Sequence, residues 1–396
     1  MERMKTGGSD MEALVSTHED ERFVGRWLAV FAVLIFAIII VGGATRLTES
    51  GLSITEWRPI SGVIPPMSEA AWQGEFEKYK QIPQYTRMNP DMTLDGFRRI
   101  YLWEYGHRLV ARLVGMVFVL PLGWMLLRRR LPRRATRPLL LLLLLLATQA
   151  AMGWWMVTSG LTERTEVSQY RLALHLVSAL AILALTVWTS AEMYRPRRRT
   201  PQRFRASGAQ GGRRRFMPCS HGPVTRALAA LLALVVVTAG SGALVAGLRA
   251  GKIYNTFPLM GDGLVPPGYG QLSPWWANLF ENPAAVQFNH RVLATVTFLA
   301  AVAVWALFRR SATGRLTTTL NLVLGVAMLQ LTLGITTLLL SVPVGIAVAH
   351  QGGAALLLTT VLLALHESLV VGSPHQQPTS QEFVANAPPR PLGVMP

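Results

Sequence analysis

The sequence is short of three things. It contains a single cysteine, Cys219, in 396 residues, so it can form neither an intramolecular disulfide nor a cysteine-based metal site. Charged residues make up only 15% of the chain, and acids are scarcer than bases, 21 against 38. With 51% hydrophobic residues and a mean hydropathy of +0.34, the chain is too apolar for an ordinary water-soluble fold of this length. It also lacks a small-residue cleavage site after its first apolar run, which therefore reads as a retained span and not as a signal to be removed.

What is present comes in blocks. A bilayer is crossed by about 20 mostly apolar residues, and eight segments meet that length: Trp27 to Leu47, His107 to Leu127, Pro138 to Thr158, Tyr170 to Ser190, Leu228 to Leu248, Phe288 to Phe308, Leu320 to Leu340 and Val344 to Leu365. The net charge of +17 invites a nucleic-acid reading, but the location of the arginines argues against it. They cluster from Arg128 to Arg137, from Arg195 to Arg215 and from Arg309 to Arg315, which are alternate loops. The positive-inside rule puts these loops and both termini in the cytoplasm. Segments 48–106, 159–169, 249–287 and 341–343 then face outward.

The Arg, Gly and Pro-rich stretch from Arg195 to Pro223 divides the chain into halves of four spans each. The halves resemble one another: "HRLVAR" from His107 aligns with "HRVLAT" from His290, and "QAAMG" from Gln149 with "QLTLG" from Gln330. An even number of spans per half gives both copies the same orientation, hence a parallel repeat. The expected fold is an all-α membrane protein, with eight transmembrane helices arranged as two pseudo-symmetric four-helix bundles. The expected divisions are a cytoplasmic tail 1–26, an N-terminal half 27–194, a basic cytoplasmic linker 195–225, a C-terminal half 226–371 and a disordered cytoplasmic tail 372–396. The eight leucines from Leu139 to Leu146 read as a lipid-facing stretch.

Of eight histidines, His18, His221, His366 and His375 fall in tails, the linker or a cytoplasmic helix end. His107, His175, His290 and His350 instead lie early in even-numbered spans, all of which run from outside to inside, so the four share one depth near the outer face. An ionisable residue within a span is costly and points to function, although a lone histidine can also serve as a hydrogen-bonding group between helices. Imidazole is an axial ligand of haem iron, and facing helices of a bundle can supply a pair across a macrocycle. The simplest pairing is His107 with His175 and His290 with His350. Zinc is the alternative, but its ligands would have to converge from two bundles without carboxylate or thiol support. Equal depth also puts the two sites side by side, whereas a carrier of electrons across the bilayer would place them at opposite faces.

The halves differ where chemistry would occur. Glu104 precedes His107 by one helical turn, while Gln287 stands at the aligned place in the second half. An acid at one site and an amide at the other suggest a reactive site in the first half and a supporting one in the second. The plainer reading of Glu104 is an interfacial residue paired with Arg108. Arg108 and Arg291 could bind haem propionates or snorkel to the interface, and Arg112 lies one turn deeper. The Gly, Ser, Thr and Pro-dense outer segments are long enough to cover the edges of such sites.

The segments "GGATRLTESGLSITEWRPISGVIPP", "EYGHR" at Glu104 to Arg108, "YNTFPLM" at Tyr254 to Met260 and "NHR" at Asn289 to Arg291, with His175 and His350, resemble the haem A synthases of mitochondria and alphaproteobacteria over nearly all of residues 25–370. The resemblance implies oxidation of the C8 methyl group of haem O to a formyl group, giving haem A for cytochrome oxidase. It implies haem b between His290 and His350, haem O as substrate between His107 and His175, and Glu104 as the catalytic carboxylate. The metal-binding set is then His107, His175, His290 and His350. The implied location is the bacterial inner membrane, with the haem sites near the periplasmic side. The implied partners are membrane lipid, an electron donor, haem O synthase and cytochrome oxidase assembly factors, with no nucleic acid. The cysteine pair that some members carry in the first outer segment is absent here. The residues alone also admit a two-haem electron carrier or quinone oxidoreductase, and a haem transporter or chaperone.

Overall fold

The computed structural model describes residues 5–58, 61–162, 164–195 and 222–371, with side chains described from residue 18 to 369 within these. Most of the proposed linker, including Cys219, and the tail from 372 lie outside the described residues. Ten α-helices occur among the described residues: α1 (Lys5–Leu47), α2 (Glu69–Tyr79), α3 (Pro83–Met88), α4 (Leu94–Leu127), α5 (Arg133–Thr158), α6 (Gln169–Met193), α7 (Pro223–Gly247), α8 (Pro283–Phe308), α9 (Arg315–Leu339) and α10 (Val344–Val371). Eight of them, all but α2 and α3, are long and apolar enough to cross a membrane, at the places read from the sequence.

The eight long helices pack as two closed rings. In the first, α1 contacts α4, α4 contacts α5, α5 contacts α6 and α6 returns to α1. In the second, the same order of pairings links α7, α8, α9 and α10. The rings meet through α1, α6, α7 and α10, and one apolar core that includes Phe31, Phe118, Leu183, Leu228 and Val361 runs through both. On the side of the rings where residues 61–93 lie, the side expected to be outer, the junction is polar. Glu49, just beyond α1, pairs with Arg249, just beyond α7, at 2.9 Å, and Glu166 bonds to both Arg249 and Arg46, the latter at 2.6 Å. Glu49 and Arg249 both have left-handed backbone, φ 59° and 51°, so α1 and α7 leave the membrane through similar turns.

The outer segment after α1 is more ordered than its composition suggests. Ser68 caps α2 by accepting from the Ala71 amide, and Thr93 caps α4 by accepting from the Gly96 amide. Helix α4 therefore starts well before the apolar run that begins at His107. Its first turns bear Asp95, Arg98 and Arg99 and carry no membrane signal, yet they bury Phe97 and Tyr101. Phe97 stacks on Phe76 at 5.1 Å and lies 5.3 Å from Tyr79, forming a separate aromatic cluster with Leu52, Ile54 and Ile82. Lys78 bridges Glu75 and Glu56 at its surface, and the hydrogen bond from Lys78 holds the Glu56 carboxyl below its usual range. This cap is fastened to the outer end of α4.

Truncating Phe97, which is fully buried, to alanine should cost the cap about 3–5 kcal/mol. Limited proteolysis of the detergent-solubilised Phe97→Ala variant should then cut within residues 64–93 under conditions that leave the native chain whole. Equal protection of the two proteins would show that the cluster does not hold the cap.

Candidate functional site

Each of the four intramembrane histidines lies against a glycine of the preceding long helix. A Cβ placed on Gly42 of α1 would stand 3.3 Å from His107 Nε2 of α4, and one on Gly153 of α5 would stand 3.2 Å from His175 Cε1 of α6. The second ring repeats the arrangement: a Cβ on Gly242 of α7 would meet His290 Cε1 of α8 at 3.0 Å, and one on Gly334 of α9 would meet His350 Cε1 of α10 at 2.8 Å. Glycine is what lets a planar imidazole lie directly on a neighbouring helix. Three of the four histidines fall at the seventh or eighth residue of their helices, so His175, His290 and His350 stand about 10 Å along from the helix start.

The second pair is the more closely set. The rings of His290 and His350 stand 6.5 Å apart between centres, with planes at 85°. Two imidazoles bound to one metal, through nitrogens at about 2.0–2.1 Å, have ring centres roughly 6 Å apart. The pair thus has the separation that two axial ligands of one haem iron require. Ser241 Oγ lies 2.8 Å from His290 Nδ1. In the first ring, Gln149 is the organising side chain: its amide donates to the His175 carbonyl at 3.0 Å, and its carbonyl oxygen accepts from Ser178. His175 Nδ1 is buried with no hydrogen-bond partner, a polar atom left over inside the bundle. The donor set is therefore chemically suited to haem in both rings, and the ligand spacing matches it in the second.

Above each first histidine a guanidinium holds down the outer segment. Arg108 donates to the Ile54 carbonyl at 2.8 Å and to the Glu56 carbonyl at 3.0 Å. Arg291 donates to the Tyr254 carbonyl at 2.8 Å and to the Thr256 carbonyl at 2.9 Å. The two arginines thus grip corresponding backbone in the two outer segments, and Arg112 adds a bond to the Arg58 carbonyl at 2.7 Å. Arg291 Nε remains buried without a hydrogen-bond partner.

Glu104 is 2% exposed, beneath that segment. One carboxylate oxygen accepts from Ser53 Oγ at 2.7 Å and the Ile54 amide at 2.8 Å; the other accepts from Arg108 Nη2 at 2.6 Å and Nε at 3.0 Å. Helix α4 does extend through Glu104, and the ion pair with Arg108 is formed. Gln287, the counterpart, donates to the Tyr254 carbonyl at 3.0 Å, and its own carbonyl oxygen is buried without a partner. Between Arg58, Glu75, Tyr101, Tyr105, Arg108 and Arg112 lies a cavity of about 310 Å³.

Sequence reasoning singled out the histidines, Glu104 and the arginines, and did not single out the four glycines or Ser241. Two of the glycines were in plain view, since Gly153 and Gly334 close the repeated "QAAMG" and "QLTLG" segments. Fold and geometry together define an eight-span membrane protein with imidazoles on alternate helices of each ring, those of His290 and His350 facing each other as a pair. Residues 25–362 match the sequence model of a family described as cytochrome oxidase assembly protein, and the chain belongs to that family. It is 46% identical over 343 residues to a heme A synthase from Bradyrhizobium sp. (strain BTAi1), covering 85% of this chain and 89% of that protein. It is 44% identical over 339 residues to one from Caulobacter vibrioides, covering 85% and 93%. A third, from Parvibaculum lavamentivorans, is 40% identical over 356 residues, covering 90% and 97%.

The glycine contacts predict a graded series. Gly334→Ala places its methyl group closest to a ring and should disturb the haem spectrum of the purified protein most, followed by Gly242→Ala, with Gly42→Ala the mildest. Spectra unaffected by all three would show that the glycines do not set the rings.

Proposed function

We propose that this chain is a haem A synthase, an oxidoreductase that converts haem O to haem A for cytochrome oxidase. The observation that carries the reading is the 6.5 Å separation of His290 and His350, together with identity of 40–46% to relatives named for this activity. In this reading His290 and His350 hold haem b, with Arg291 Nε as a donor available to a propionate. His107 and His175 flank haem O, and Arg108 sits above them. Haem b, when bound, supplies one-electron exchange. The N-terminal half 27–194 is then the substrate half and the C-terminal half 226–371 the cofactor half.

Turning the C8 methyl group into a formyl group removes four electrons and four protons in two hydroxylations, for which an external oxidant, dioxygen or an electron acceptor working with water, is required; the geminal diol so formed loses water. Glu104 is the catalytic carboxylate. Both of its oxygens face donors, four contacts in all, which suits a fixed negative charge better than a proton carrier. Its role is to stabilise positive charge developing at the methyl carbon. Gln287 offers no such charge at the corresponding place, which suits a half that holds a cofactor without altering it. The arginine-rich alternate loops support an orientation in the bacterial inner membrane with both termini cytoplasmic and the haem sites near the periplasmic side. Haem O synthase and cytochrome oxidase assembly factors are the partners that would supply substrate and take product.

Extraction of pigments from cells that make haem O tests this directly. The native chain should yield haem A, and Glu104→Ala should yield none while the purified variant still carries haem b. Undiminished haem A from Glu104→Ala would remove the carboxylate from the mechanism. Bound haem with no haem A from the native chain would favour a two-haem electron carrier.

A further inference from the structure

The two rings differ behind their first histidines. Ser241 stands immediately before the glycine under His290, and its hydroxyl donates to the Thr238 carbonyl at 2.7 Å. With its proton on that carbonyl, the oxygen is an acceptor towards His290 Nδ1, 2.8 Å away. In that arrangement the imidazole carries its hydrogen on Nδ1 and leaves Nε2 as the bare nitrogen, the form needed to ligate iron. One turn deeper, Thr238 and Thr297 join α7 to α8 through their hydroxyls at 2.7 Å. In the first half the places that correspond through Gly42 and His107 are held by Val41, Ile38 and Val114. Hydroxyl side chains stand behind His290, and aliphatic side chains hold the corresponding places in the first half.

We propose that Ser241 is a positioning residue that fixes the tautomer and raises the donor strength of His290, making the C-terminal half the site that retains its haem in a set redox state. The inference rests on the reading of His290 as a haem ligand. A hydrogen bond from Nδ1–H to an acceptor pushes electron density towards the coordinating nitrogen and favours ferric iron. The side chains of Val41, Ile38 and Val114 at the corresponding places offer no such acceptor, in keeping with a site whose haem must enter and leave.

The test is redox titration of haem b in protein purified from cells that make no haem O, so that a haem between His107 and His175 does not contribute to the spectrum. In Ser241→Ala the midpoint potential should shift upward, so that at a fixed poise the ferrous-to-ferric ratio rises about fivefold, the weight of one net hydrogen bond. Ser241→Thr, which keeps a hydroxyl, should titrate like the native protein. His290→Ala should lose the low-spin spectrum of the bound haem. A Ser241→Ala potential equal to the native value, with the spectrum lost in His290→Ala, would overturn the role of Ser241 alone. A low-spin spectrum that survives His290→Ala would overturn the ligand assignment beneath it.

Discussion

Four imidazoles have to be kept inside apolar helix bundles, and the rest of the structure is arranged around that demand. A polar ring facing hydrocarbon is costly unless something inside the bundle takes it up. Each ring here is turned inward against a glycine on the neighbouring helix, so helix packing and ring orientation are a single arrangement. The His290 and His350 rings come within a separation that a porphyrin iron can span. The rings of helices supply position, the glycines supply clearance, and the outer segments close over the top.

The two halves share a frame and differ in a few side chains. Arg108 and Arg291 fasten corresponding stretches of outer backbone by the same pair of bonds, so the covers of the two halves are built alike. Within that frame the chemistry differs at few positions. Glu104 faces Gln287 in correspondence, and Val41 faces Ser241. The ion pairs among Arg46, Glu49, Glu166 and Arg249 join the outer ends of the two rings and keep the sites side by side.

Much of this was legible in the sequence. The eight spans were, because runs of apolar residues bounded by arginines are a one-dimensional signal. The histidines were, because a polar residue within such a run stands out. The extension of α4 back to Leu94 was not, since its charged first turns are held by Phe97 packing on Phe76 and Tyr79, contacts made only after the cap has folded. The binding of Arg108 and Arg291 to backbone carbonyls was equally hidden. An arginine after a histidine fits a propionate, a headgroup or a loop, and only the position of the loop decides. Gly242 gave no signal because glycine is common in membrane helices, and Gly42, though it opens the GGATRL segment, acquires its meaning only from the ring lying on it.

The most direct measurement is the location of iron in the full-length protein purified from cells that make haem O, by density maps with iron-edge anomalous scattering. The account predicts one iron between His290 and His350 and a second between His107 and His175, at the same depth near the outer face. Irons at opposite faces of the membrane, or bound away from these imidazoles, would contradict it.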